Sequence, residues 1–152
     1  MVALMPIVVS NMKKFFDKNI LLDNQIAVTL YNQVKDLPII DYHCHLDQDK
    51  IAQDAAFDNI GSLWLAGDHY KWRAMRLCDV DEYYITGKAS DEEKFYKYAE
   101  IMPKLIGNPL YYWTHFELQR VFGINEPLNK DTAHEIYKKA NEVLKNKTVR
   151  SL

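Results

Sequence analysis

The sequence predicts a mostly α-helical chain with one β-strand near its start, and it reads as the front of something larger. Three observations lead there. Residues 38–47, Pro-Ile-Ile-Asp-Tyr-His-Cys-His-Leu-Asp, open on proline and continue into strand-forming residues. Five or six other segments repeat apolar residues at helical spacing. No second strand-like run accompanies the first, and a lone strand cannot make a sheet. A helical bundle with one odd extended segment would fit the same pattern, but the front of something larger is more economical.

Met1 to Val9 are apolar, too few to span a bilayer, and they lack the basic start and small-residue cleavage site of a secretory signal. Met12-Lys13-Lys14-Phe15 resembles a second start, so residues 1–11 are expected to be a poorly ordered upstream extension. Asp23 is placed to cap a helix whose apolar positions are Ile26, Ala27, Leu30, Tyr31, Val34 and Leu37. Pro38 ends that helix and opens the strand. In a strand Ile39, Asp41, His43 and His45 share one face, and Ile40, Tyr42 and Cys44 the other. Residues 39–44 are therefore expected to be extended, with His43 and His45 pointing to the same side. Two imidazoles so placed can converge on one metal ion, zinc or a neighbouring transition metal. Chance pairing of histidines gives the same spacing, but a strand end leading into Leu46 and Asp47 favours the metal.

Beyond Asp47 a short helix is expected near Lys50 to Gln53, and another over Ile60 to Leu65, stopped by Gly67. Asp68 is a plausible N-cap for a helix that carries His69, Trp72, Arg73 and Arg76 on one face. Free amides at a helix start beside a His and two Arg make a reasonable anion site. A solvated basic face with Trp72 packed beneath the Arg stems is the plainer reading. Ser90-Asp91-Glu92-Glu93 is a capping box, opening a helix with Phe95, Tyr98, Ala99 and Met102 inward and a kink or end near Pro103. Asn108-Pro109 starts the next helix, with Trp113 and Phe116 inward and Gly123 as its stop. The last helix spans about residues 131–145, burying Ala133, Ile136, Tyr137, Ala140, Val143 and Leu144. His115 and His134 read as structural or exposed rather than as ligands.

Composition bounds the function. The 152 residues suit one domain, and 19 basic against 21 acidic residues give a net charge of -2, which points away from nucleic acid. Cys44 and Cys78 form no Cys-x-x-Cys pair, which fits a reducing cytoplasm. No repeat, Gly-rich phosphate loop or Ser-His-Asp arrangement is present.

Ile39-Ile40-Asp41-Tyr42-His43-Cys44-His45-Leu46-Asp47 and Leu63-Trp64-Leu65-Ala66-Gly67-Asp68-His69-Tyr70-Lys71-Trp72-Arg73-Ala74-Met75-Arg76 resemble the uronate isomerase family of the amidohydrolase superfamily. Asn108-Pro109-Leu110-Tyr111-Tyr112-Trp113-Thr114-His115-Phe116-Glu117-Leu118 is similar to the same family. The His-x-His alone would indicate only the superfamily, whereas the run from Gly67 to Arg76 is much more specific. Together the matches cover nearly everything from Met12 onward.

The resemblance implies an α/β, TIM-type (β/α)8 barrel in the complete protein, with its first strand at about residues 38–45 and a helical insertion behind it. Residues 12–80 would begin the barrel, and residues 81–152 would form the insertion, truncated at the C-terminus. It implies a divalent metal, zinc, on His43 and His45. It places His69 and Tyr70 in the active site, Tyr70 as the proton carrier, with His69 and Arg73 on the substrate. The implied reaction interconverts an aldose uronate and its ketose: D-glucuronate with D-fructuronate, D-galacturonate with D-tagaturonate. The implied partner is a small sugar acid, in the cytoplasm, with no nucleic acid and no membrane; a homo-oligomer is compatible with the full-length enzyme. A barrel alone needs about 250 residues. Two histidines also leave a catalytic zinc short of its usual three protein ligands. The 152-residue chain is accordingly expected to be the N-terminal part of the enzyme and to show no turnover alone. Another amidohydrolase-type reaction, with metal-bound water attacking an amide or ester, shares the His-x-His. A non-enzymatic helical interaction module is the third reading.

Overall fold

Six of the seven α-helices among the described residues start on a side-chain cap. The computed structural model describes residues 17, 19–40, 42, 43 and 47–152. The expected extension at residues 1–11 lies outside them. The chain divides into two compact units, Met1–Asp41 and Tyr42–Leu152. Within the second unit, helices on either side of residue 80 pack together.

In the first unit the helix α1 (Gln25–Val34) is capped by Asn24, not Asp23. The Asn24 side chain accepts the Ala27 N–H at 2.9 Å from an extended backbone, the geometry an N-cap requires. None of its residues is buried, and Ile26, Leu30, Val34 and Leu37 all face solvent. The expected strand is corrected: no strand forms among the described residues, and Ile39 and Ile40 are 89% and 91% exposed. A strand is stabilised by the ladder it shares, and no described segment offers these residues a partner. Asp41, Cys44 and His45 lie outside the described residues, and with them the orientation of His45 relative to His43.

In the second unit α2 (Gln48–Gln53) starts on Asp47, whose carboxylate accepts the Asp49 N–H at 2.8 Å. The helix α3 (Ile60–Leu65) starts on Asn59, and α4 (His69–Leu77) starts on Asp68. A 3-10 turn at Glu82–Tyr84 leads to α5 (Asp91–Ile101), opened by the capping box of Ser90 and Glu93. Pro103 sits in a second 3-10 turn, Met102–Leu105, directly after α5 ends. The helix α6 (Pro109–Phe122) is capped by Asn108 and closed by Gly123 at φ 67, a left-handed position that favours glycine. The helix α7 (Ala133–Leu144) completes the unit.

The core forms where α3 lies against α5 and α7. Trp64 stacks on Phe95 at 5.8 Å between centroids and meets Tyr98 and Phe122 edge-on. Close approach depends on Gly61: a Cβ there would come within 2.4 Å of the Asp91 carbonyl oxygen. Asn141 of α7 accepts the Ile60 N–H at 2.8 Å, and Asn59 donates to Asp91 at 3.0 Å, so side chains tie all three helices at one corner. After α7 the chain returns to the start of the unit, with Val149 N–H on the Ala55 carbonyl at 3.0 Å and a single bridge between Ala56 and Thr148.

Two aromatic expectations for α6 are corrected. Trp113 is 55% exposed, and Phe116 is only half-buried, beneath the Arg120 guanidinium. The buried stripe is instead Leu110, Tyr111, Thr114, His115, Leu118 and Phe122. His115 is structural, as its sequence context suggests. Its Nδ1–H donates to the Tyr111 carbonyl at 2.7 Å, and its Nε2 accepts the Leu128 N–H at 2.9 Å. That pairing requires the neutral ring. Burial lowers its pKa from 6.5, partly offset by the bond to Tyr111. His134 is exposed and meets the Tyr96 hydroxyl at 3.0 Å.

Replacing Phe95, fully buried, by Ala should cost about 3–5 kcal/mol in denaturant unfolding, whereas Trp113→Ala should cost under about 1 kcal/mol. Equal losses would contradict the placement of Trp113. The His115 ring should titrate with an NMR midpoint below 6.5. Because the unfolded ring then binds protons more readily, its contribution to stability is complete above 6.5 and is lost as the pH falls toward the folded value. A midpoint at or above 6.5 would refute the neutral, doubly bonded ring.

Candidate active site

Of the residues expected to carry chemistry, His69 and Tyr70 fall in the first turn of α4 and Arg73 one turn on. Asp68 makes that first turn. Its Oδ1 accepts the N–H groups of Tyr70 at 2.9 Å and Lys71 at 3.3 Å, and its Oδ2 accepts the Lys71 ammonium at 2.8 Å. Lys71 is only 8% exposed, so this ion pair is largely shielded from water. Burial works to raise the Asp68 pKa, but the Lys71 hydrogen bond and charge, with the two backbone donors, hold it below 3.8. Glu117, from α6, lies on the same cavity of about 320 Å³. Burial raises its pKa, against the Lys71 charge and the Trp64 indole.

This cap presents His69 and Tyr70 side by side and exposed, their rings 4.4 Å apart. One turn on, the Arg73 guanidinium lies over the Tyr70 ring at 5.9 Å. Trp72 turns the other way, its Nε1–H donating to the Leu65 carbonyl at 2.7 Å, which pins α4 to the end of α3. Arg76 is not available to an anion as the helical face suggested. It forms a two-pronged pair with Glu82, at 2.9 and 2.6 Å. No carboxylate among the described residues lies within ion-pair distance of Arg73.

Tyr70, Arg73, Ala74 and Leu77 form one wall of a cleft of about 410 Å³, and Asn108, Pro109, Leu110 and Trp113 of α6 and its cap form the other. The sequence marks Asn108 as a cap and Trp113 as a core residue, and periodicity does not distinguish those roles from cleft lining. His43 is exposed, and His45 lies outside the described residues. Among the described residues no group of three or more His, Cys, Asp or Glu is placed to hold a metal. No helix among them is long and apolar enough to cross a membrane.

A helix start that exposes an imidazole and a phenol beside a guanidinium suits an enzyme site for a small anion, and the relatives of this chain are enzymes of that kind. The profile of the glucuronate isomerase family matches residues 12–152, and the chain belongs to that family. It is 56% identical over 135 residues to a uronate isomerase of Bacillus subtilis, covering 88% of this chain and 28% of that protein. A uronate isomerase of Clostridium perfringens is 54% identical over 136 residues, which cover 89% of this chain and 29% of that one. The crystal structure of a Thermotoga maritima uronate isomerase superposes with a TM-score of 0.85 at 41% identity, over 89% of this chain and 30% of that one. A glucuronate isomerase structure from Caulobacter crescentus gives 0.71 at 28% identity, over 78% of this chain and 26% of the other. The chain thus spans less than a third of the length of these relatives.

Replacing Asp68 by Ala should cost about 2–3 kcal/mol, since it removes an N-cap and leaves a nearly buried ammonium without its partner. Asp68→Asn keeps a capping oxygen and loses only the charge, so chemical unfolding should place it between the wild type and Asp68→Ala. An Asp68→Asn variant as stable as the wild type would show that the Lys71 pair contributes nothing.

Proposed function

We propose that this chain is the N-terminal part of a cytoplasmic isomerase that converts D-glucuronate to D-fructuronate and D-galacturonate to D-tagaturonate. The observation that carries this reading is the capped first turn of α4, which exposes His69 and Tyr70 beside Arg73 within a family of uronate isomerases. The conversion moves one proton from C2 to C1 and another between the two oxygens. Tyr70 is the group that carries the proton between the carbons. His69, packed against its ring, serves the oxygens. Arg73 holds the carboxylate, for which a planar guanidinium is the fitting partner.

In the complete protein we place these residues on a (β/α)8 barrel. His43 and His45 would there supply two imidazoles to a divalent metal, zinc, which when bound polarises substrate oxygens. A catalytic zinc usually has three protein ligands, so a full site would need one beyond His43 and His45.

The test joins residues 1–152 to the downstream portion of the Bacillus subtilis relative and assays both uronates. The joined protein should isomerise them, and the 152-residue chain alone should not. Tyr70→Phe in the joined protein should lower kcat by about 10²- to 10⁴-fold with metal content unchanged, because it removes a proton carrier and no ligand. His43→Ala and His45→Ala should lower both kcat and metal content. A folded joined protein that cleaves amides and leaves uronates untouched would overturn the assignment, as would a Tyr70→Phe rate within about threefold of wild type.

A further inference from the structure

Trp113 is the most exposed of the three tryptophans. It stands 55% exposed and lines a cleft, while Trp64 is buried in the core. The cleft's volume, about 410 Å³, lies within the range of small-molecule sites, roughly 300–1,000 Å³. Its floor and sides are apolar: Ala74, Leu77, Pro109 and Leu110. Its polar groups are few. Arg73 brings a cation without a described carboxylate partner, steadied over the Tyr70 ring. Asn108 uses its side-chain oxygen on the Leu110 N–H at 2.9 Å, which directs its amide hydrogens elsewhere.

This set of groups matches one ligand chemistry. A flat aromatic surface takes the C–H face of a sugar ring, a guanidinium takes a carboxylate in two parallel hydrogen bonds, and an amide takes a hydroxyl. We propose that Trp113 is a substrate-contacting residue. On this assignment the cleft between α4 and α6 receives a six-carbon sugar acid with its carboxylate on Arg73 and one ring face against the Trp113 indole. The proposal rests on the uronate reading above and adds to it a platform from a helix that the sequence assigned to the core. It also explains the pairing pattern on α4. Lys71 and Arg76 are each committed to a carboxylate, so the cleft's positive charge comes from Arg73.

The experiment uses the 152-residue chain itself, labelled with 15N and titrated with D-glucuronate, D-galacturonate and uncharged D-glucose. The Trp113 indole resonance is identified by its loss in Trp113→Phe. Both uronates should shift it saturably and leave the indole resonances of Trp64 and Trp72 in place. Glucose should bind at least about tenfold more weakly, the difference a single charge-assisted contact can make. Arg73→Gln should bring the uronates down to the glucose level. Both substituted residues are exposed, so the backbone spectrum should remain that of the folded chain. A Trp113 resonance that stays still at saturating uronate, or that moves equally with glucose, overturns the proposal. The two readings fail separately. An active joined isomerase with a silent Trp113 removes the platform alone, whereas saturable binding with no isomerisation removes the proposed reaction and leaves the site.

Discussion

The ion pair between Asp68 and Lys71 joins the core of the second unit to the candidate site. The two oxygens of the Asp68 carboxylate act separately, Oδ1 closing the first turn of α4 and Oδ2 holding the ammonium. Lys71 in turn lies 5.9 Å over the Trp64 ring, and Trp64 stacks on Phe95 and meets Tyr98 and Phe122. A displacement of the aromatic core would therefore reach the backbone of Tyr70 through three contacts. Shielded ion pairs add little net stability, because desolvation offsets their attraction. Their effect is geometric. Few other orientations of the α4 start would satisfy a nearly buried ammonium, so the direction of the His69 and Tyr70 side chains is narrowly set.

How much of this could be read from the sequence follows from the range of each interaction. Caps are local, and Asp68, Ser90, Asn108 and Gly123 appear where residue type and spacing place them. Even the misplaced start of α1 is an error of one residue, between two side chains of nearly equal capping strength. The choice of buried face on α6 was not legible. Tyr111, Tyr112, Trp113 and Phe116 surround that helix with aromatic surface, and the periodicity alone does not say which stripe meets α5 and α7. The described residues of the expected strand, 38–40, 42 and 43, form none for a different reason. Alternation describes a side-chain pattern, but a strand exists only with a partner, and no described segment supplies one.

The candidate site divides in the same way. His69 and Tyr70 fall together because they are neighbours in one capped turn. The loss of Arg76 to Glu82 crosses from α4 into the following 3-10 turn, six residues on, where helical geometry no longer applies. The joining of Asn108 and Trp113 to Tyr70 spans more than thirty positions and depends on how α6 packs. Residue types can suggest the chemistry of one wall of such a cleft, but only tertiary packing selects the residues of the other.

On the proposed reading, the charges around α4 would favour an anion there. The helix start adds roughly half a positive charge from its unpaired amides, and Asp68 meets part of it through two of those amides. Lys71 cancels the remaining charge on Asp68, and Glu82 cancels Arg76 at the far end. Arg73 lies between these pairs, facing a cleft with apolar sides. Beside a low-dielectric wall its field is screened less than in open water. A carboxylate entering the cleft would thus meet one fixed cation rather than a diffuse basic face, and a neutral sugar of the same shape would meet only the walls. Discrimination by charge, on this reading, would follow from how the neighbouring cations are paired, and Lys71 and Arg76 differ from Arg73 in their partners rather than in their charge.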